Sequence, residues 1–353
     1  MTASATPSRL ANIALLVCSI LFSLILGEGL CRTFLPRASR PQPGARILGH
    51  LHHADPMIGW LLSSSPIQYE HRLVDSKGNV QYDVVYSIAG EQRRTSEHPP
   101  SAPLLIASGC SFTFGHGLND QDTWPWLLQE ELPEYHVANV GTMAYGTDQA
   151  LMAAERLIQK NPGRTAAVVL GFADFQVERN RSTQAWAADI YPLSKPLYAV
   201  GPHGLEYKRQ VRFWSWGPLT DHSQLFGHLA NTLADKYFGI PTHDQALQVT
   251  LELITTFAQK MNGLGIKFAV VVLPFKGDQT SLSKSDQKFL VDGMQAAKIP
   301  VLVPQFPRLP DNSFDAPNFM VSVMDSHPNR AYNVVLTRQL KPFLVSAGMI
   351  NDR

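Results

Sequence analysis

Residues 104–117 read Leu104-Leu-Ile-Ala-Ser-Gly-Cys-Ser-Phe-Thr-Phe-Gly-His-Gly117. An apolar run stops at Gly109, and Ser111 follows in the turn. A helix-like stretch around Trp124 to Glu131 comes next. This is how a buried parallel strand delivers a hydroxyl to the carboxyl edge of a sheet, where open α/β folds place their sites. A serine hydroxyl needs a base to become nucleophilic. A candidate lies far downstream in Asp325-Ser-His-Pro-Asn329.

Working outward, the chain alternates strand-like and helix-like segments. Apolar runs predict strands at 103–108, 136–140, 166–171, 266–273 and 300–303. Amphipathic periodicity predicts helices at about 122–132, 147–160, 243–263, 283–297 and 329–346. That rhythm implies a three-layer α/β domain, a parallel sheet with helices on both faces. Residues 50–98 read as irregular and β-rich, with a strand over Gln81 to Ile88 and a turn at Gly90. Residues 186–240 break the alternation with a hairpin-like stretch, Phe213-Trp-Ser-Trp216 and a helix near 222–238. They read as an insertion able to cap the catalytic edge, with aromatics that pack more readily than they bind substrate.

The N-terminus is of a different character. From Leu10 to Leu30 Glu28 is the sole ionisable side chain, and about 20 apolar residues suffice to cross a bilayer. The organisation is therefore a transmembrane anchor over 1–35, a linker and β-rich extension over 36–99, and the α/β domain over 100–353. Pro36 to Gly44, with three prolines, makes the linker. A cleaved signal peptide and a lipoprotein cysteine at Cys31 both fit poorly. Arg32, Arg37, Arg40 and Arg46 follow the span, so the positive-inside rule places the domain in the cytoplasm.

A net charge of +1 across 353 residues gives no nucleic-acid footprint. Of three cysteines, Cys18 and Cys31 lie in the apolar segment, which leaves Cys110 alone in the rest of the chain. An internal disulfide there is excluded, and no Cys/His spacing suggests zinc. His52, His53 and Asp55 lack a spaced partner set, so neither a metal nor an organic cofactor is expected.

Gly109 to Gly115 resembles the first block of the SGNH (GDSL) hydrolases, and later blocks follow in order. Asn139-Val-Gly-Thr-Met-Ala-Tyr-Gly146 is similar to the second, Gly171-Phe-Ala-Asp174 to the third and Asp325-Ser-His327 to the last. The resemblance covers residues 100–347, about 70% of the chain, and its weight lies in order and spacing. It implies a flavodoxin-like fold and a Ser-His-Asp esterase with Ser111 as nucleophile, His327 as base and Asp325 orienting the imidazole. It also implies an oxyanion hole from the amides of Ser111 and Ala144, with Gly141 nearby. A membrane helix before such a domain resembles envelope members of the family. That implies a periplasmic or extracytoplasmic domain, in conflict with the charge rule.

Three departures stand out. Cys110 replaces the family's aspartate and creates a rival nucleophile. Ala173 replaces the asparagine that completes the oxyanion hole, a donor whose loss costs about 2.7–4 kcal/mol; Gln176 and Asn139 are candidate substitutes. Asp-x-His replaces Asp-x-x-His, with Asp311 and Asp315 as alternative acids. Asp174 reads as a loop brace or a site residue, His116 as a loop residue, and Trp60 as a core anchor for the extension. The expected activity is hydrolysis of an O-acyl ester on a small-molecule, carbohydrate or lipid-linked substrate. An O-acyltransferase and a non-catalytic module of the same fold are the alternatives.

Overall fold

The computed structural model describes residues 9–40, 51–214, 217–274, 282–311, 314–322 and 324–351. Residues 41–50, which include the end of the expected linker and Arg46, and Trp216 of the insertion lie outside them.

Five parallel strands form the centre: β6 (Leu104–Gly109), β7 (His136–Asn139), β8 (Thr165–Phe172), β11 (Lys267–Val272) and β12 (Val301–Leu302). Their spatial order is β12-β11-β8-β6-β7, which is the flavodoxin-like arrangement. β6 is buried at every residue, as expected of a strand covered on both faces. One face carries α4 (Thr147–Lys160), α9 (His243–Gly263) and α10 (Lys284–Ala296), the other α3 (Trp124–Glu131) and α12 (Arg330–Ser346). Leu104, Ile106, Val168 and Leu170 pack toward the first face, Leu105, Ala107, Val169 and Val271 toward the second. This is strand alternation carried into two separate cores. Every predicted strand and helix is present within two residues of its expected bounds.

The extension does not form a body of its own. Beyond a small hairpin of β1 (His52–Asp55) and β2 (Gly59–Leu62), its strands β3 (Ile67–Val74), β4 (Val80–Ala89) and β5 (Gln92–Arg93) run antiparallel and join β7. The result is one eight-stranded sheet, β12-β11-β8-β6-β7-β5-β4-β3. β4 alternates exposed with buried or half-buried positions and β3 exposed with half-buried ones, as one-sided antiparallel strands do. Trp60 is fully buried and donates its indole N–H to the carbonyl of Met143 at 3.1 Å. Tyr145 Oη donates back to the carbonyl of Trp60 at 2.5 Å. Trp60 thus anchors the extension to the second motif, as its composition suggested.

The insertion holds two short helices, a hairpin and one longer helix. These are α6 (Gln184–Asp189), β9 (Ser194–Gly201), β10 (Gly204–Arg212), α7 (Pro218–His222) and α8 (Gln224–Phe238). They pack on α4, α9, β2 and the N-terminal helix, alongside the domain. Lys195 reaches in from β9 to the buried carboxylate of Asp148 at the start of α4. α1 (Arg9–Phe34) is long and apolar enough to cross a membrane, and it has no buried residue.

Candidate active site

Ser111 opens α2 (Ser111–Phe114), two residues past the end of β6. α2 sits on three glycines from three strand ends. A Cβ on Gly109 or Gly171 would come within 2.3 Å of Thr113 Oγ1, and one on Gly141 within 2.5 Å of the Phe114 amide. No larger residue leaves room for that turn.

His327 arrives on the loop before α12. Its amide donates to Asp325 Oδ1 at 3.1 Å, its carbonyl accepts the Val321 amide at 2.8 Å, and Asn329 caps α12. The Asn329 side chain also donates to the carbonyls of Asn318, in α11 (Ala316–Phe319), and Met320. The loop is thereby closed on itself, and the two-residue spacing brings Asp325 to its imidazole. His327 Nδ1 lies 2.5 Å from Asp325 Oδ1, and His327 Nε2 lies 2.9 Å from Ser111 Oγ. An ionised carboxylate only accepts, so Nδ1 carries the proton and Nε2 is left to accept from the serine. Burial alone would raise the pKa of Asp325. Hydrogen bonds from His116 and His327 outweigh it and hold the carboxyl well below its usual range.

His116 is drawn into this chain. Its Nε2 stands 3.3 Å from Asp325 Oδ2 and 3.1 Å from Tyr82 Oη. Its ring centroid is 4.4 Å from that of His327. Burial lowers its pKa, so it is held neutral and can donate from Nε2. Tyr82 and His71, whose ring lies 5.0 Å from His116, come from β4 and β3. The extension therefore lines the far side of Asp325.

Arg93 of β5 does the equivalent for the serine loop. Its guanidinium is buried and donates to Asp120 Oδ1 at 2.9 Å and to the carbonyls of Phe114, Gly115 and Leu118 at 2.6–2.7 Å. Three backbone acceptors and one carboxylate fix residues 114–120 as a unit.

The amides of Ser111 and Ala144 donate to no acceptor among the described residues. Ala144 has φ +64°, the left-handed region that glycine occupies more easily. Gly141 is different: its amide donates to Asn139 Oδ1 at 3.0 Å, while Asn139 Nδ2 donates to the Thr113 carbonyl. Asn139 ties the first two motifs together. Ala173 is buried with its amide on Gln176 Oε1 at 2.8 Å. Gln176 Nε2 is buried and finds no partner among the described residues. Asp174 is buried on the same loop. Asp315 bonds Asn318 at 2.6 Å, on the local turn rather than at the imidazole.

Arg179 of α5 (Gln176–Arg181) contacts a neighbour in sequence of each candidate amide donor. Its Nη1 donates to the Tyr145 carbonyl at 3.1 Å, beside Ala144, and its guanidinium lies against the Cys110 thiol, beside Ser111. Phe175 and Trp186 flank the cation at 4.3 and 4.9 Å. Burial pushes the Cys110 thiol pKa up, against the pull of Arg179. A thiol so held is a poor nucleophile. Among the described residues His116, Asp325 and His327 are the one grouping of donors close enough for a metal ion. Their facing atoms are already paired with one another, with Ser111 and with Tyr82.

Sequence reading placed Ser111, Asp325 and His327 but gave no such role to His116, Arg93 or Arg179. A histidine five residues past the serine was the available signal. The two arginines sit in segments without a motif.

The solved structures that this chain resembles include a G-D-S-L family protein and SGNH-hydrolase family esterases. A structure of TesA is 13% identical and covers 69% of this chain and 99% of its own, with a TM-score of 0.41. A putative lipolytic protein of the G-D-S-L family from Desulfitobacterium hafniense is 14% identical over 68% and 99%, at 0.40. The psychrotrophic esterase EstA from a Pseudoalteromonas species is 10% identical over 69% and 97%, at 0.38. No protein-family model matches the sequence, and no curated protein matches it. Identities this low and superpositions this loose leave function to be read from the site.

Proposed function

We propose that the protein is a serine esterase that cleaves a carboxylic ester through an acyl-enzyme. The observation that carries this reading is the unbroken hydrogen-bonded series Ser111 Oγ, His327 Nε2, His327 Nδ1 and Asp325 Oδ1, at 2.9 and 2.5 Å. Ser111 Oγ attacks the ester carbonyl while His327 takes its proton. The tetrahedral oxyanion is met by the amides of Ser111 and Ala144, with the positive charge of Arg179 behind them in place of the missing asparagine. Collapse breaks the bond to the leaving alkoxide, which receives the proton from His327. Water, deprotonated by His327, then releases the acid and restores Ser111.

α1 acts in this reading as a single membrane anchor, which favours an ester held near a membrane, such as an O-acyl group on an envelope carbohydrate or lipid-linked substrate. The test is hydrolysis of short and medium p-nitrophenyl esters by the full chain in detergent. Ser111→Ala is expected to remove activity by about 10⁴-fold or more, and Cys110→Ala to retain it. Loss in Cys110→Ala with retention in Ser111→Ala would move the nucleophile to the thiol. Ester consumption that requires an added sugar alcohol, with transfer of the acyl group to it, would make the enzyme a transferase. A folded chain that turns over neither substrate would speak for a binding module.

A further inference from the structure

Glu28 is a carboxylate at the end of an apolar helix, a costly residue there unless it is spent on a partner. Its Oε2 accepts from Ser223 Oγ at 2.7 Å and from the Leu225 amide at 2.9 Å, and its Oε1 accepts from the Gln224 amide at 3.0 Å. These amides open α8, so one helix supplies the N-terminal anion of the other. Arg32 bonds Glu28 at 2.7 Å and the His222 carbonyl at 3.0 Å. After α1 ends, the Ala38 amide donates to Gln224 Oε1 at 2.7 Å, and His228 Nε2 lies 2.9 Å from the Pro36 carbonyl. The joint is continuous over residues 27–38.

The joint also sets how α8 is turned. Gln224 and His228 face the chain leaving α1, while Leu225 faces back along it, with Cδ2 3.2 Å from where a Cβ on Gly27 would stand. Positions four apart share a helix face. The face continuing from Leu225 carries Leu229, Leu233 and Tyr237, exposed at 45%, 43% and 64%, with Lys236 among them. Gln224, Gly227, Ala230 and Ala234 are buried on the opposite side. A surface helix normally turns such leucines inward. Arg209 stands 5.8 Å from the Tyr237 ring, a cation at the rim of the stripe.

We infer that α8 lies on the surface of the bilayer that α1 crosses, with Leu229, Leu233 and Tyr237 in the interfacial layer. Apolar residues on one face with a basic rim suit that position, and the Glu28 joint keeps the helix at the level where the span ends. The inference rests on reading α1 as a membrane span. The catalytic domain is then held at a fixed height and tilt by two contacts, one crossing the membrane and one resting on it.

The test uses the full chain, with Cys18 and Cys31 changed to Ser, in nanodiscs containing phosphatidylglycerol. Nitroxides are placed singly at Leu21, Leu229, Leu233 and, on the far end of α9, Leu264. Power saturation is read with oxygen and with a water-soluble nickel chelate. Positions 21, 229 and 233 are expected to favour oxygen, and position 264 the chelate. Chelate preference at 229 and 233 with oxygen preference at 21 overturns the inference while leaving the anchor intact. Chelate preference at 21 overturns both. Dipolar broadening between labels at 229, abolished by dilution with unlabelled protein, would assign the stripe to a second copy and also overturn it.

Discussion

His116 Nε2 lies 3.3 Å from Asp325 Oδ2, the carboxylate oxygen that His327 does not use. One carboxylate is therefore gripped by two imidazoles, one facing the serine and one facing the extension. In the proposed mechanism His116 is a positioning residue, because it touches Asp325 and not the reacting atoms. His116→Ala is expected to lower kcat about 10²-fold with little change in KM, the scale of a misplaced catalytic group. His116→Gln, which restores an N–H donor, should recover much of it. Equal losses in both variants would remove His116 from the mechanism.

Arg179 and Ala144 make a paired prediction about the oxyanion. Arg179→Met should cost about 10²–10³ in kcat, the usual effect of deleting one stabilising donor, and Arg179→Lys less. Ala144→Gly relieves the left-handed backbone at φ +64° and keeps the amide. It should hold kcat and match or raise the unfolding midpoint, because strain of this kind costs about 1 kcal/mol or more. Ala144→Val, with a branched side chain at that φ, should lose activity. Steady-state kinetics and thermal melts on the four variants check both halves.

Arg93→Met removes a buried cation and, with it, one donor each from Asp120 and three carbonyls. Breaking a buried pair on one side costs about 3–5 kcal/mol. The double change Arg93→Met with Asp120→Leu should be less damaging than the single one. Urea unfolding of both measures it, and a single variant no worse than the double would contradict the account.

His136 gives a pH dependence with a definite sign. Burial, and the charges of His98 and Arg164, lower its pKa to about 4, against about 6.5 in an unfolded chain. Between these values the unfolded state binds the proton and the folded state does not. Stability is thus expected to fall as pH drops from about 6.5 to about 4, and this contribution levels off below. His136→Phe should flatten that window in chemical unfolding at stepped pH. An unchanged slope would assign the acid sensitivity elsewhere.

Chelation offers a last check on the site. If His327 acts as a base and not as a metal ligand, dialysis against EDTA leaves ester turnover unchanged. Loss on dialysis and recovery with zinc would assign His116, Asp325 and His327 to an ion.

The parallel core was legible because β6, β8 and β11 are continuous apolar runs and α4, α9 and α12 are amphipathic, both local properties of the chain. Ser111, Asp325 and His327 were legible for another reason: each sits in a short motif with glycine, proline or polar neighbours. The joining of β5 to β7 was not, since it rests on Arg93 opposite Asn139, a pairing between segments with no shared pattern. Nor was Arg179, whose position depends on how α5 packs beside Cys110. Glu28 stood out in the sequence as an anomaly, but its partners in α8 and its cap are some 195 residues away.

The sheet that runs unbroken from β12 to β3 bears on how the protein can be cut. A chain begun at residue 100, where the motifs begin, would retain the serine, the histidine and the aspartate. It would lose the guanidinium that clamps the serine loop and the tyrosine behind His116, and would expose β7 as a raw edge to its neighbours in solution. Such a fragment should be found in aggregates. If any remains dispersed, it should turn over esters slowly with the whole proposed triad in its sequence.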